Sequence, residues 1–125
     1  MHCTHCGLCC EETEMLLSEE DTQLLEKTGH DRHKFVRYDE HGYARLRNRK
    51  GYCVFYDAER RRCRVYRHRP LGCRIYPTVY SEEDGTIADE LCPMSRTVLQ
   101  AELDRNGKKV IRLLERIDLE AATRT

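Results

Sequence analysis

The sequence contains no tryptophan and only two phenylalanines among its 125 residues. Leu, Ile, Val and Phe together number 25, near the composition at which a chain stops burying enough apolar surface to fold unaided. The 22 basic and 22 acidic side chains cancel, so the composition does not indicate wholesale disorder. A further constraint is needed to offset the conformational entropy lost on folding, and the eight cysteines are the candidates.

Long apolar runs are also missing. No segment approaches the roughly 20 apolar residues that cross a bilayer, and no signal-peptide pattern precedes Cys3. We therefore expect a cytoplasmic protein that has no membrane partner. Closely spaced cysteines in a reducing cytoplasm are expected to bind metal rather than to form disulfides. The length of the chain favours one domain over residues 1–125.

Common catalytic motifs are absent as well. The sequence has no G-x-G-x-x-G, no P-loop, no nucleophile elbow and no H-E-x-x-H. Whether the protein is an enzyme therefore stays open at this stage. His2 and His5 lie among the first cysteines and are alternative metal ligands, although exposed histidines are the simpler interpretation.

Local patterns predict an α+β fold with short β-hairpins and a helical C-terminal segment. Ser18 and Asp21 form a capping-box pattern before Leu24 and Leu25, which predicts a helix over about 19–28 that stops at Gly29. Polar turns that end in glycine predict two hairpins, which join 35–38 to 43–46 and 78–80 to 86–88.

The last quarter of the chain has apolar residues at helical spacing. This pattern predicts a helical segment over 94–122. Because Asn106–Gly107 interrupts the pattern, the segment could be one helix or a broken pair of helices, and we expect a pair packed on the cysteine cluster.

The cysteines form a close group and a dispersed group. The close group, C-x2-C-x2-C-C, has a spacing that lets two thiolates reach one metal ion, and consists of Cys3, Cys6, Cys9 and Cys10. The dispersed group must be gathered by the fold, and consists of Cys53, Cys63, Cys73 and Cys92. All eight are candidate metal ligands, enough for two four-ligand sites. Because adjacent side chains diverge, Cys9 and Cys10 are not expected to serve one ion comfortably.

Three interpretations of the cysteines are open. An iron–sulfur centre is favoured, because three cysteines in one short loop with a remote Cys92 before Pro93 is how bacterial ferredoxins are built. It would allow a redox or electron-transfer role with an unidentified protein partner. Structural zinc is the second interpretation, although zinc modules usually pair two C-x2-C knuckles. In the third, some cysteines are only buried apolar residues.

Residues 45–76 carry 11 basic and only 2 acidic side chains. Arginines here could neutralise the negative charge of a thiolate-ligated centre. Their alternation with tyrosines is also typical of nucleic-acid binding. The zero net charge of the chain does not favour that function, which is kept as an alternative. For Arg60 to Arg62, a solvated turn is the simplest interpretation.

Four motifs resemble the CxxCxxCC (YkgJ-like) family of zinc- or iron-chelating proteins. They are C-x2-C-G-x-C-C at 3–10, C-x-F-Y-D at 53–57, C-x-V-Y-x2-R-P at 63–70 and C-R-x-Y-P at 73–77. The resemblance spans 3–93 and implies metal chelation by Cys3, Cys6, Cys9, Cys10, Cys53, Cys63 and Cys73, with Cys92 at a less constant position. Arg69 and Arg74 lie inside these motifs, and we expect their guanidinium groups to hydrogen-bond the centre.

The resemblance implies no particular reaction. Flagellin lysine N-methylases contain a similar cysteine cluster, which would imply an iron–sulfur-dependent methyltransferase-like enzyme. This chain lacks the additional length that such an enzyme would bring.

Overall fold

The computed structural model describes residues 10–89, 92 and 94–125. Over these residues the fold is α+β, with antiparallel two-stranded hairpins and a long C-terminal helix. The helices are α1 Glu19–Lys27, α2 Arg32–Phe35, α3 Leu71–Ile75 and α4 Gln100–Arg124. The strands are β1 Val36–Tyr38, β2 Ala44–Leu46, β3 Asn48–Arg49, β4 Tyr52–Cys53, β5 Tyr56–Asp57, β6 Arg62–Cys63, β7 Thr78–Ser81 and β8 Gly85–Ala88. Short 3-10 helices cover Tyr66–His68 and Ser95–Thr97.

Helix α1 begins where its capping residues predict. The Ser18 hydroxyl accepts from the Asp21 amide (3.1 Å), and an Asp21 carboxylate oxygen accepts from the Ser18 amide (3.4 Å). Gly29, at φ +102°, follows the end of the helix in a conformation that favours glycine. The predicted helix is therefore confirmed.

Both predicted hairpins are present. β1 pairs with β2 in the register Val36↔Leu46, and β7 pairs with β8 in the register Val79↔Ile87. The turn between β1 and β2 is held by the Asp39 carboxylate, which accepts from the backbone amides of His41 (2.9 Å) and Tyr43 (3.0 Å).

Two further hairpins were not predicted, and each strand in them has only two residues. They pair β3 with β4 and β5 with β6. Lys50 and Gly51 join β3 to β4 with φ angles of +53° and +85°, which is the conformation of a type I′ turn. These hairpins place Cys53 and Cys63 at the ends of β4 and β6.

The C-terminal segment is one helix, so the expected pair of helices is wrong. α4 continues through Asn106 and Gly107 without a break. Gly107 is buried because the helix crosses the β7–β8 hairpin closely: a Cβ there would lie 2.7 Å from Thr86 Cγ2. The glycine thus permits close packing instead of ending the helix. α4 packs on this hairpin and on α3, and no helix within the described residues is long and apolar enough to cross a membrane.

The far end of α4 is fastened to the start of α1. The Glu19 amide donates to the Glu120 carboxylate (3.0 Å), and Arg124 contacts a Glu19 carboxylate oxygen (3.2 Å) and the Gly42 carbonyl (2.9 Å). Partial burial would raise the pKa of Glu19, but the hydrogen bonds and charges of Arg32 and Arg124 hold it below its ordinary value. These contacts join three elements that are distant in sequence.

Candidate metal centre

Cys53 and Cys63 lie at matching places on consecutive hairpins. Cys53 ends β4 opposite Asn48 and is 6% exposed. Cys63 ends β6 opposite Tyr56 and is half-buried. Each hairpin therefore brings one cysteine to the apolar interior.

The segment that begins at Cys10 runs antiparallel to β4, which carries Cys53. Glu11 forms an antiparallel bridge with Tyr52, and the Glu12 amide donates to the Gly51 carbonyl (2.7 Å). Continuing this register by one residue places Cys10 opposite Cys53. Cys10 thus lies at the edge of the β3–β4 hairpin.

The Asn48 side chain binds the segment that follows Cys10 through two hydrogen bonds. Its side-chain oxygen accepts from the Thr13 amide (2.9 Å), and its side-chain nitrogen donates to the Thr13 carbonyl (3.0 Å). One amide side chain therefore satisfies both backbone groups of a residue that is only 7% exposed. Sequence reasoning missed this role, because nothing local to Asn48 indicates a partner 35 positions away.

Cys73 is positioned by α3. The first amide of this helix, from Leu71, donates to the buried Asp21 carboxylate (3.1 Å) of the α1 capping box. The next residue, Gly72, lies against Met15 so closely that a Cβ would overlap the methionine sulfur. These two contacts hold α3, and with it Cys73, against α1 and the segment after Cys10.

Four chain segments thus bring a cysteine to one apolar cluster. Cys53 belongs to the buried cluster, and Cys10, Cys63 and Cys73 pack against it half-buried. Phe55 lies at its centre, with ring centroids 5.5 Å from Phe35 and 5.1 Å from His30. Soft sulfur donors in an apolar shell fit a zinc ion or an iron–sulfur cluster.

Cys92 lies apart from this cluster. It is half-buried in a turn, where its amide donates to the Asp89 carbonyl (3.2 Å) and its carbonyl accepts from the Ser95 amide (3.0 Å). Cys3, Cys6 and Cys9, together with His2 and His5, lie outside the described residues. Over the described part of the chain, no three His, Cys, Asp or Glu side chains are grouped to hold a metal ion.

The arginines of the basic third occupy different surroundings. The Arg69 guanidinium lies 3.8 Å from the centre of the Tyr66 ring, and its Nε donates to the Tyr66 carbonyl (2.9 Å). Arg74 is exposed on α3, one residue after Cys73. Their contact with a metal centre stays a prediction. Arg60 and Arg61 are exposed in the turn between β5 and β6, as expected, whereas Arg62 is exposed at the start of β6.

Comparison with known proteins now decides the family. The CxxCxxCC family model, described as "Putative zinc- or iron-chelating domain", matches residues 2–93. The chain belongs to the CxxCxxCC family. This confirms the resemblance predicted from the four motifs, and it places the described cysteines up to Cys92 within the matched region of a zinc- or iron-chelating domain.

Among curated proteins, this CxxCxxCC chain is similar to uncharacterized protein MJ0661 of Methanocaldococcus jannaschii. The two are 28% identical over 89 residues, which are 69% of this chain and 49% of the relative. The chain therefore spans about half the length of that relative. No solved structure matches the chain.

Proposed function

We propose that this CxxCxxCC domain holds an iron–sulfur centre on its cysteine thiolates. The observation that supports the proposal is that Cys10, Cys53, Cys63 and Cys73 all belong to, or pack against, one apolar cluster. Four segments gather cysteines there although the spacing between them fixes nothing locally. The ligands would come from the close group together with these cysteines.

The spacing of the close group favours iron–sulfur over zinc. Three cysteines separated by two residues each are typical of a loop around a cluster. When bound, such a cluster supplies one-electron transfer. The chain's own contribution would be an apolar wall, from Phe55 and Val65, that lowers the local dielectric.

A redox role needs electronic access from a partner. Cys10, Cys63 and Cys73 are half-buried, so part of the cysteine cluster lies close to the surface. We therefore include electron transfer to a protein partner in the proposal. A closed structural zinc site is the second candidate, favoured by the 6% exposure of Cys53.

Metal analysis tests the proposal. Protein purified without oxygen is expected to be brown and to contain iron together with acid-labile sulfide. Cys53→Ser and Cys63→Ser should each lower both contents, because serine is a poor ligand for iron–sulfur clusters.

Val36→Ala is the matched control, since it removes packing from the same cluster without removing a thiol. It should keep its iron and sulfide. A colourless protein that contains zinc alone, on four sulfur ligands per ion, would refute the iron–sulfur proposal and support the zinc site.

A further inference from the structure

A second feature lies beside the β5–β6 hairpin and shares Cys63 and Val65 with the cysteine cluster. Here an open groove of about 1100 Å³ runs from the turn to the 3-10 helix Tyr66–His68. Its basic lining consists of Arg60, Arg61, Arg62, Arg64, Arg67 and His68. The zinc- or iron-chelating description of the family gives this groove no role.

Within the part of the chain that the structure describes, few carboxylates pair with the groove arginines. Among the described residues, one carboxylate pairs with a groove arginine: Asp57, at 4.0 Å from Arg60. That carboxylate also accepts from the backbone amides of Glu59 (3.1 Å) and Arg60 (3.2 Å) in the turn. A cluster of like charges held together in this way favours an anionic ligand.

Some arginines elsewhere in the fold are paired with carboxylates. Arg32 contacts Glu19 at 2.6 Å and Glu26 at 2.7 Å, and Arg45 contacts Asp39 at 3.1 Å. Others, such as Arg105 and Arg112 on α4, are exposed and have no ion pair among the described residues. The groove is distinguished by concentration, because five arginines line one concave surface with a single carboxylate partner in the described part of the chain.

Planar aromatic surfaces accompany these charges. Tyr66 lines the groove, is 37% exposed and is covered on its ring by the Arg69 guanidinium. On the neighbouring strands the rings of Tyr52 and Tyr56 stack with centroids 5.0 Å apart. Arginines that follow a phosphate backbone, combined with tyrosines on which bases stack, are the combination that binds single strands.

We propose that this groove binds single-stranded nucleic acid. Phosphates would contact Arg62, Arg64 and Arg67, and a base would stack at the planar surface that Tyr66 and Arg69 form. A single strand is favoured over a duplex because its bases expose their faces for stacking. The proposal is independent of which metal the cysteines hold.

Fluorescence anisotropy with a labelled oligothymidylate of about 16 nucleotides tests the proposal. The full chain should bind this probe with an affinity that falls as salt rises. The triple variant Arg62→Gln, Arg64→Gln, Arg67→Gln should weaken binding by about tenfold or more. The slope of log affinity against log salt should decrease by about two, because each phosphate contact on a single strand contributes about 0.7.

The matched control removes three positive charges from exposed positions of α4. It carries Arg105→Gln, Lys108→Gln and Arg112→Gln, and it should bind within about twofold of the unaltered chain. Equal losses in both triple variants would show diffuse attraction and overturn the groove assignment. Since all six positions are exposed, both variants should fold. If the groove triple variant does not fold, Arg64→Gln alone is compared with Arg105→Gln alone.

Tyr66→Leu separates stacking from charge. Loss of a stacked base should weaken binding about fivefold or more while leaving the salt slope unchanged. Vesicles containing anionic phospholipid serve as the competing probe. If vesicles bind the groove and Tyr66→Leu has no effect on the oligonucleotide, the partner is an anionic surface and the single-strand proposal is wrong.

Discussion

The Asn48 side chain fixes the position of the chain segment next to Cys10. Its two hydrogen bonds to Thr13 hold the segment that follows Cys10 against the β3–β4 hairpin. Asn48→Ala would leave both backbone groups of Thr13 without this partner. We expect a loss of about 1–3 kcal/mol in the free energy of unfolding, measured by urea denaturation, together with weaker metal retention.

Two comparisons sharpen this test. Asn48→Asp keeps the acceptor but not the donor, so its loss should be intermediate. Arg49→Ala changes an exposed residue of the same strand and should cost roughly 0.5 kcal/mol or less. An Asn48→Ala variant as stable as Arg49→Ala would show that water replaces the amide without cost.

Sequence patterns predict residue roles only where the partners are near in the chain. The capping role of Asp21 follows from Ser18 three positions earlier. Its second bond, to the Leu71 amide, spans 50 positions and has no local signal. The cysteines were selected by spacing and motif, but their packing against one apolar cluster depends on the whole fold.

At the scale of elements, Gly107 is the position where helix propensity and packing oppose each other. Gly107→Ala would gain about 1 kcal/mol of helix propensity, but its Cβ would collide with the β-branched Thr86. Overpacking costs typically about 1–3 kcal/mol. We therefore expect a net loss of stability of about 1 kcal/mol, measured by thermal unfolding.

Asn106→Ala is the control, because it adds helix propensity at the preceding, half-exposed position and should not destabilise. Thr86→Ala combined with Gly107→Ala should recover the loss. If Gly107→Ala alone raises the melting temperature, α4 does not depend on close contact with the β7–β8 hairpin.

Element prediction succeeded where a pattern was long enough to be recognised. The β1–β2 and β7–β8 hairpins have polar turns that end in glycine between apolar runs. The hairpins that carry Cys53 and Cys63 have two-residue strands, too short to show alternation, and Lys50 occupies a turn position where asparagine is more usual. In α4, glycine was interpreted as a break because its contact with Thr86 is visible only in three dimensions.

For the molecule as a whole, metal binding and folding are expected to be coupled. The apolar content is marginal, and the cysteines adjoin the main core cluster. Complete removal of metal by a chelator should therefore reduce secondary structure, measured by far-ultraviolet circular dichroism. Readdition of the metal should restore the spectrum. An unchanged spectrum after complete removal would show that core packing suffices.

The hydrogen bond between the Leu71 amide and the Asp21 carboxylate bears on how well the fold tolerates inserted residues. It closes a loop of 50 positions that contains both hairpins with Cys53 and Cys63. Closure entropy grows only logarithmically, by about 0.6 kcal/mol for each doubling of a flexible loop. Ten residues inserted between β5 and β6 would therefore cost only about 0.2 kcal/mol in closing this loop, but about 1 kcal/mol in the turn of residues 58–61 itself, which would grow from 4 to 14 residues. The cost of such an insertion thus falls on the hairpin that carries Cys63.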